Sequence, residues 1–250
     1  MIMNFVKNPN LPTGEVLAVA ISSEALPAIN SLASMGIRTI TVPSITDLPK
    51  GIASHADLQL LHLFDNRIIS GNEQMCAGEL TNFFNVVNSS KLPKGKYPAD
   101  VVLNTAIIGK HMICNTNTVD PQVLQFAESS GLAIHHVNQG YTKCSICIIN
   151  ENAIITDDTS IAQSAQFFLD DVTFVEKGSI GLHGYSYGFI GGCCGKIAQN
   201  KIAFNGRIES HSDANKIIDA LARNKTEAVE LTNETLYDIG GILPLIQKSH

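Results

Sequence analysis

The chain has 250 residues with 17 basic and 23 acidic side chains, which gives a formal charge of −6. Because phosphate backbones are bound by basic surfaces, this charge argues against nucleic acid as a partner and suits a cationic small molecule. Charged residues make up only 16% of the chain. That low share indicates strands buried on both faces, or a surface covered by another copy of the chain in a homo-oligomer.

The cysteines lie inside apolar segments, which predicts a reduced compartment rather than a disulfide framework. The first ten residues lack the apolar core of a signal peptide. No run approaches the roughly 18 apolar residues that span a membrane. We therefore expect a cytoplasmic protein that does not bind membranes. The cysteines are Cys76, Cys114, Cys144, Cys147, Cys193 and Cys194.

The first predicted unit runs from about residue 15 to residue 70. Alternating or continuous apolar runs predict its strands, and a serine after the first strand is placed to cap a helix that Gly36 ends. The predicted elements are the strand Glu15–Ile21, a helix from Ser22 or Ser23, the strand Ile37–Val42, the strand that His55-Ala-Asp-Leu-Gln-Leu-Leu opens, and the strand Arg67–Ser70.

Four further units repeat the order of helix, strand and hairpin. The predicted helices are Glu73–Val87, Asp120–Ser130, Ser160–Leu169 and Asp213–Ala222. The predicted strands are Asp100–Asn104 with its continuation through Ile107-Ile108, Met112–Asn115, Leu132–Val137, Cys144–Ile149, Ala153–Thr156, Val172–Val175, Lys201–Phe204 and Glu227–Leu231, and the segment Leu236–Leu243 follows the last of them. The units lie near residues 15–70, 73–115, 120–157, 160–206 and 213–245, and together they predict a single domain over residues 1–250.

Five such units can close into a ring, which buries every sheet face and leaves no free sheet edge. The sequence therefore predicts an α/β fold in the form of a five-bladed α/β propeller. An open βα solenoid and an irregular α/β sandwich are the alternatives. The repeat pattern resembles the pentein superfamily of guanidine-modifying enzymes, which includes deiminases, dimethylarginine dimethylaminohydrolase and amidinotransferases, together with non-catalytic members.

The resemblance implies a site whose usual nucleophile is missing here. Penteins of the enzyme class carry a catalytic cysteine near the C-terminus, and the matching segment, Asp238–Leu245, has glycines but neither cysteine nor histidine. No Glu-Gly-Gly-Asp segment like that of the deiminases occurs. The His-x-Asp of these enzymes resembles His55-Ala-Asp57, although that motif lies in the first unit rather than a later one.

In a closed ring the inner strands present every second side chain to the axis, and this rule selects polar candidates. His55 and Asp57 are expected to share one face with a ligand, as are Asp100 and Asn104. The predicted binding set also contains Lys143, Tyr185, Tyr187 and Asp238. The alternative for Asp100 and Asp238 is that each caps its own loop.

Two cysteine pairs need separate interpretations. Cys144-Ser-Ile-Cys147 has the C-x-x-C spacing, but a strand would place the two sulfurs on opposite faces, so no zinc site is predicted. The same rule predicts that the adjacent Cys193 and Cys194 diverge. Cys144 opens its strand beside Lys143 and is the predicted nucleophile, with a buried structural cysteine as the alternative.

The segment Gly188–Gly195 lacks the spacing of a phosphate-binding loop, so neither a cofactor nor a metal is predicted. Three aspartates brought to one axis repel one another unless a cation lies among them, and Lys143 can neutralise only one. One hypothesis is thus a cysteine-dependent hydrolase or transferase that acts on a cationic guanidino compound or amine, with Cys144, His55 and Asp57 as its catalytic residues. The other is a non-catalytic pentein-like protein that binds a small ligand or a protein.

Overall fold

The computed structural model describes residues 3–249. Its strands are β1 (Met3–Phe5), β2 (Val16–Ser22), β3 (Arg38–Val42), β4 (Leu60–His62), β5 (Arg67–Ser70), β6 (Asn85–Asn88), β7 (Ala106–Ile108), β8 (His111–Cys114), β9 (Ala133–His136), β10 (Ile146–Asn150), β11 (Ala153–Thr156), β12 (Asp171–Phe174), β13 (Cys194–Ala198), β14 (Lys201–Phe204), β15 (Glu227–Glu230) and β16 (Leu243–Lys248). Its α-helices are α1 (Leu26–Ser34), α2 (Ala56–Gln59), α3 (Glu73–Ala77), α4 (Pro121–Ser129), α5 (Thr159–Ala165) and α6 (Ala214–Arg223).

These strands form five small sheets that share one pattern. Two strands pair in antiparallel fashion, a helical segment follows, and a third strand then pairs parallel to the second. The strand orders are β1-β16-β2-β3, β4-β5-β6, β7-β8-β9, β10-β11-β12 and β13-β14-β15. The fold is therefore mixed α/β. Four of the sheets take their hairpin from one predicted unit and their third strand from the next, whereas the first sheet joins β16, at the end of the fifth unit, to β2 and β3 of the first.

The first sheet joins both ends of the described chain. β16 pairs antiparallel with β2, with Leu243 opposite Ala20. β1 pairs with the other edge of β16. The C-terminal strand thus occupies the position that β4, β7, β10 and β13 hold in the other sheets, and we call these five the lead strands. Among the lead strands, β7 contacts β10, β10 contacts β13, and β13 contacts β16.

The helices form where capping residues and an apolar stripe coincide. Asp120 accepts a hydrogen bond from the backbone N–H of Gln122 at 2.8 Å, and Pro121 opens α4. In α6 the buried residues Ile217, Ala220 and Leu221 lie on one face, which packs into the core around β14. No helix in residues 3–249 is long and apolar enough to cross a membrane.

The predicted helix Glu73–Val87 is wrong in its second half. α3 ends at Ala77, Gly78 adopts an extended conformation, and a short 3-10 turn leads into β6. β6 pairs parallel with β5, with Val86 opposite Ile68. The helical pattern fails there because sheet pairing and burial of Leu80 and Phe84 against β5 override local propensity.

The predicted starts of the lead strands are also wrong. Residues 56–59 form one helical turn, and β4 begins only at Leu60. Residues 100–104 and 141–145 are turns or irregular, and the segment before β16 is irregular up to Leu243. The backbone in these segments bonds to neighbouring segments instead of a strand, as when the Asp57 N–H donates to the Gly240 carbonyl at 3.0 Å.

Candidate active site

Each lead strand is preceded by a segment that we call a lead turn, and the five lead turns comprise residues 53–59, 100–105, 141–145, 189–193 and 238–242. Hydrogen bonds join each turn to the next and the last to the first, so they form a closed ring. The bonds are Asn104 Nδ2 to Asp57 O at 3.1 Å, Lys143 N to Asn104 Oδ1 at 2.7 Å, Gly192 N to Cys144 O at 2.9 Å, Gly241 N to Gly192 O at 2.8 Å, and Asp57 N to Gly240 O at 3.0 Å.

Cys144 lies in this ring with two polar partners. Its thiol donates to Asp57 Oδ2 at 3.0 Å, and Asn104 Nδ2 donates to the sulfur at 3.0 Å. Asn104 Oδ1 also accepts the backbone N–H of Cys144 at 3.2 Å. All three residues are 2% exposed. A carboxylate that can accept the thiol proton and an amide that can stabilise the sulfur anion therefore meet at one atom.

Burial raises the pKa of the Cys144 thiol well above its ordinary value, and the charges of Asp57 and Asp238 raise it further. The ligand-free thiol is thus protonated at neutral pH. An opposite charge within a few ångström favours the ionised form of such a group. A cationic ligand beside the sulfur would offset the negative charges of both carboxylates and so favour the thiolate.

His55 and Asp238 form a second pair. His55 Nδ1 lies 3.8 Å from Asp238 Oδ1. Asp238 also accepts the backbone N–H groups of Phe189 and Gly240, each at 2.9 Å. Burial raises the pKa of Asp238, and the charge of His55 opposes that shift. The carboxylate is thereby fixed between two lead turns with the imidazole against it.

Asp100 and Lys143 lie further from the sulfur. The Tyr141 hydroxyl donates to Asp100 Oδ2 at 2.5 Å, and burial raises the pKa of both groups. Lys143 Nζ is 3.5 Å from the Gly191 carbonyl. Lys143 lines a different, smaller cavity together with Asp57. Asp100 thus supports a wall of the site through Tyr141, whereas Lys143 lines the smaller cavity.

A cavity of about 260 Å³ opens above Cys144, and its walls are largely aromatic. Tyr141 stacks on Phe189 with ring centroids 5.6 Å apart, and Tyr187 meets Phe189 edge-on at 5.9 Å. Tyr185 is 41% exposed and forms part of the rim. The residues that line it are Ile52, His55, Tyr141, Cys144, Leu182, Tyr185, Ser186, Tyr187, Phe189 and Asp238. Aromatic walls around a carboxylate suit a small organic cation.

A larger open groove of about 880 Å³ lies elsewhere, between residues 44–47, 71–74 and 90–94. It contains none of the predicted site residues. We assign the candidate site to the smaller cavity because Cys144, His55 and Asp238 line it, and because buried ionisable groups mark functional sites more often than polar surface grooves do.

The structure brings most predicted residues together, but not in the predicted pairs. Alternation along a strand predicts that His55 and Asp57 act side by side. The helical turn separates them, so that Asp57 bonds to Cys144 and His55 lies against Asp238. Among residues 3–249, no hydrogen bond joins His55 to Cys144.

The predicted divergence of the adjacent cysteines is wrong. Cys193 and Cys194 each place their sulfur 3.2 Å from the Ile190 carbonyl, because Cys193 belongs to a lead turn rather than to a strand. Both sulfurs, like that of Cys147, lie in the apolar cluster around Phe204. Within the described part of the chain, no group of three or more His, Cys, Asp or Glu side chains could hold a metal ion.

Three site residues were missing from the sequence prediction. Tyr141 and Phe189 line the cavity at equivalent positions, each five residues before its lead strand. Asp157 accepts the backbone N–H of Ile190 at 2.9 Å, and burial raises its pKa to about 7. The alignment of the five lead turns by their following strands would have shown the two aromatic positions. No pattern in the sequence distinguishes Asp157, because the Asp157-Asp158 pair is explained by Asp158 alone, which caps the helix α5.

Gly240 allows His55 to approach the fifth lead turn. Its φ is +74°, and a Cβ there would lie 2.3 Å from the Cβ of His55. We expect Gly240→Ala to lower the free energy of unfolding by about 2–3 kcal/mol, because it adds overpacking to backbone strain. Gly36→Ala is the matched control, since Gly36 has φ +77° with nothing within 4 Å of a Cβ. Urea unfolding of both variants measures the difference, and equal losses would contradict the packing argument.

Comparison with known proteins identifies the fold and a family. The inosamine-phosphate amidinotransferase of Streptomyces griseus superposes with a TM-score of 0.61 at 10% identity, over 98% of each chain. DDAH from Pseudomonas aeruginosa in complex with citrulline gives 0.55 at 11% identity, over 92% of this chain and 96% of that one. C. jejuni agmatine deiminase gives 0.55 at 8% identity, over 92% and 91%. These structures are penteins, and at such identities the likeness shows the fold alone.

Sequence comparison adds the family. A search of curated proteins finds no significant match. One family model, described as a family of unknown function (DUF6873), matches residues 20–243. Since this match covers most of the 250 residues, the chain belongs to the family of unknown function DUF6873.

Proposed function

We propose that the chain is a closed five-bladed pentein whose central cavity binds a cationic guanidino compound or amine, and that Cys144 acts on this ligand as the nucleophile of a hydrolase or transferase. The observation that carries the proposal is the hydrogen bond of 3.0 Å between the Cys144 thiol and Asp57, at the floor of a cavity that Asp238 and His55 also line.

The ring of hydrogen bonds through the five lead turns supports closure of the propeller. Five sheets of one pattern, with β16 completing the first, are what a ring of five blades requires. The solved structures that share the fold support the substrate class. Their names refer to dimethylarginine, agmatine and amidino transfer.

Charge at the site favours a cation. Asp57, Asp100 and Asp238 are all buried around the cavity or directly behind its walls. Asp100 Oδ1 has no hydrogen-bond partner among residues 3–249. A guanidinium group can donate hydrogen bonds to two carboxylates at once and stack on the aromatic walls. An anionic ligand would instead add to the repulsion.

The proposed reaction starts with transfer of the thiol proton to Asp57 Oδ2. Asn104 stabilises the resulting thiolate. The sulfur then forms a C–S bond to the central carbon of the guanidinium. The proton passes from Asp57 to a nitrogen of the tetrahedral centre, the C–N bond breaks, and the amine leaves. Water or an acceptor amine, oriented by the His55–Asp238 pair, attacks the same carbon. The attacking group gives a proton to Asp57, the C–S bond breaks, and the sulfur takes that proton back from Asp57 as the ureido or guanidinium product leaves.

A non-catalytic pentein that binds a small ligand or a protein is the second candidate. Two observations favour it. The fifth lead turn has Gly240 and Gly241 where the enzymes of this fold are expected to carry cysteine. The Cys144 thiol is buried, and its pKa is raised. An acid-quenched reaction mixture separates the candidates, because only the enzyme shows a covalent adduct on Cys144 by intact-mass spectrometry.

Ligand binding is tested by thermal shift with guanidinium compounds, alkyl amines and anions of matched size. We expect stabilisation by the cations and none by the anions. Asp238→Asn removes a buried charge and keeps an acceptor for only one of the Phe189 and Gly240 N–H groups, so we expect cation affinity to fall at least about 30-fold.

The matched control is Glu209→Gln, which removes the same charge from an exposed residue paired with Arg207. Its cation affinity should equal that of the wild type. Equal or greater stabilisation by the anions would exclude the cationic site, and so would an equal loss of affinity in the two variants.

A further inference from the structure

A second, smaller cavity lies beside Asp57, with a volume of about 20 Å³. A water molecule needs roughly 10–15 Å³, so one fits and two do not. Asn10, Asp57, His62, Thr105 and Lys143 line it together with apolar residues of β4 and β16. Asp57 connects it to the ligand cavity, because Asp57 Oδ2 accepts a hydrogen bond from the thiol of Cys144, which lines that cavity.

Three side chains of this cavity each carry a buried polar atom that has no hydrogen-bond partner within residues 3–249. These atoms are Asp57 Oδ1, His62 Nδ1 and Thr105 Oγ1. Their residues are at most 6% exposed. A buried polar atom without a partner is unfavourable, and three such atoms around one cavity point to a shared partner.

The tautomer of His62 determines to which atoms the missing group must donate a hydrogen bond. His62 Nε2 lies 2.8 Å from the Asp65 carbonyl, which only accepts. The Nε2 nitrogen therefore carries the proton, and Nδ1 is an acceptor. Burial lowers the pKa of His62 to about 4, so the ring is neutral at physiological pH. The missing partner must donate to His62 Nδ1 and to Asp57 Oδ1.

The other side of the cavity supplies donors. The Thr105 hydroxyl can donate, and Lys143 Nζ has donors beyond its bond of 3.5 Å to the Gly191 carbonyl. Two acceptors and two donors match the two hydrogens and two lone pairs of water. An ammonium ion does not fit, because it has no lone pair to accept a hydrogen bond from Lys143. Any cation in this cavity would also be repelled by the charge of the lysine.

We infer that this cavity binds a single structural water that bridges Asp57 Oδ1 to His62 Nδ1, and that His62 is a positioning residue for the Asp57–Cys144 pair. The bridge fixes the plane of the carboxylate, so that Oδ2 stays aimed at the thiol. The water site rests on the fold alone, whereas the positioning role rests on the proposed function of Asp57 as proton acceptor.

The first experiment is a crystal structure of the full chain at about 1.5 Å resolution. We expect an ordered water within 2.6–3.2 Å of Asp57 Oδ1 and His62 Nδ1, distances typical of hydrogen bonds. An empty cavity, or a cavity that the side chains have closed, overturns the inference. This result does not depend on any ligand or turnover.

The second experiment follows alkylation of Cys144 by iodoacetamide with mass spectrometry. Thr105→Val keeps the side-chain shape but removes the hydroxyl. We expect the rate to rise about tenfold, the worth of one buried hydrogen bond, because a carboxylate that is no longer aimed at the thiol holds the thiol proton less tightly. Thr226→Val is the control, because its buried hydroxyl bonds to the Asn224 carbonyl outside the site. An unchanged rate in Thr105→Val, or an equal rise in the control, overturns the positioning role.

Rescue at position 62 separates positioning from packing. Glutamine can donate to the Asp65 carbonyl and accept from the water, whereas leucine can do neither. We expect His62→Gln to retain the wild-type alkylation rate within about threefold and His62→Leu to react about tenfold faster. Equal rates in the two variants overturn the role. A water in the crystal structure together with no cation binding would leave this site intact and refute the proposed function alone.

Discussion

An alkylating agent that bears an amidinium group, such as a haloacetamidine, is expected to label Cys144 ahead of the other five cysteines. Cys144 is the one cysteine among the residues that line the ligand cavity. The reagent's cation fits among the buried carboxylates and favours the thiolate, so we expect it to react at least about 100-fold faster than neutral iodoacetamide of similar size.

Substitution and pH provide the controls for this result. Cys144→Ser should abolish the labelling, whereas Cys76→Ser, which changes a thiol outside the site in α3, should leave it unchanged. Because the pKa of Cys144 is raised above its ordinary value of 9.0, the rate with iodoacetamide should still be rising at pH 9. Labelling of Cys193 or Cys114 before Cys144 would show that the assignment is wrong. So would an iodoacetamide rate that stops rising below pH 8.

The middle strands of the sheets were predictable, and the lead turns were not. Arg67–Ser70, Ala153–Thr156 and Lys201–Phe204 have their predicted bounds. These strands are buried between two partners, and a run of β-branched residues alone indicates that environment. The lead turns bond to turns far away in the sequence, as Asp57 does to Gly240. No local pattern encodes such a conformation.

The same limit applies to the site. Its residue types were predictable because polar residues at the start of apolar segments are unusual. Their pairing was not, because the side-chain alternation of a strand does not hold in a helical turn. The sequence thus predicts Cys144, His55 and Asp57 as one group, whereas in the structure Asp57 and Asn104 are the direct partners of Cys144, and His55 lies against Asp238.

The fourth lead turn is held by two buried carboxylates, and this arrangement has a cost that depends on pH. Asp238 accepts the N–H of Phe189, and Asp157 accepts the N–H of Ile190. Burial raises the pKa of Asp157 from 3.8 to about 7. The native chain therefore retains a proton at pH 4–7 that the unfolded chain releases. The contribution of protonated Asp157 to the free energy of unfolding is fully present below pH 4. It is lost as the pH rises to about 7, and the total loss is roughly 4 kcal/mol.

Asp157→Asn should remove this cost while it keeps an acceptor for the Ile190 N–H. We expect the variant to match the wild type at pH 4 and to exceed its free energy of unfolding by up to about 4 kcal/mol at pH 8, measured by urea unfolding across that range. Subtraction of the two curves cancels the contributions of Asp100 and Asp238, whose pKa values burial also raises.

The neighbouring Asp158 provides a control of opposite sign. Burial opposes its ionisation, but hydrogen bonds from Ser160 and Ile161 and the charge of Lys177 lower its pKa overall. Its stability is therefore present above the unfolded pKa and lost as the pH falls, so Asp158→Asn should be less stable than the wild type at pH 8. If Asp157→Asn differs from the wild type by the same amount at pH 4 and pH 8, then Asp157 is ionised in the native chain across that range, and burial does not govern its charge.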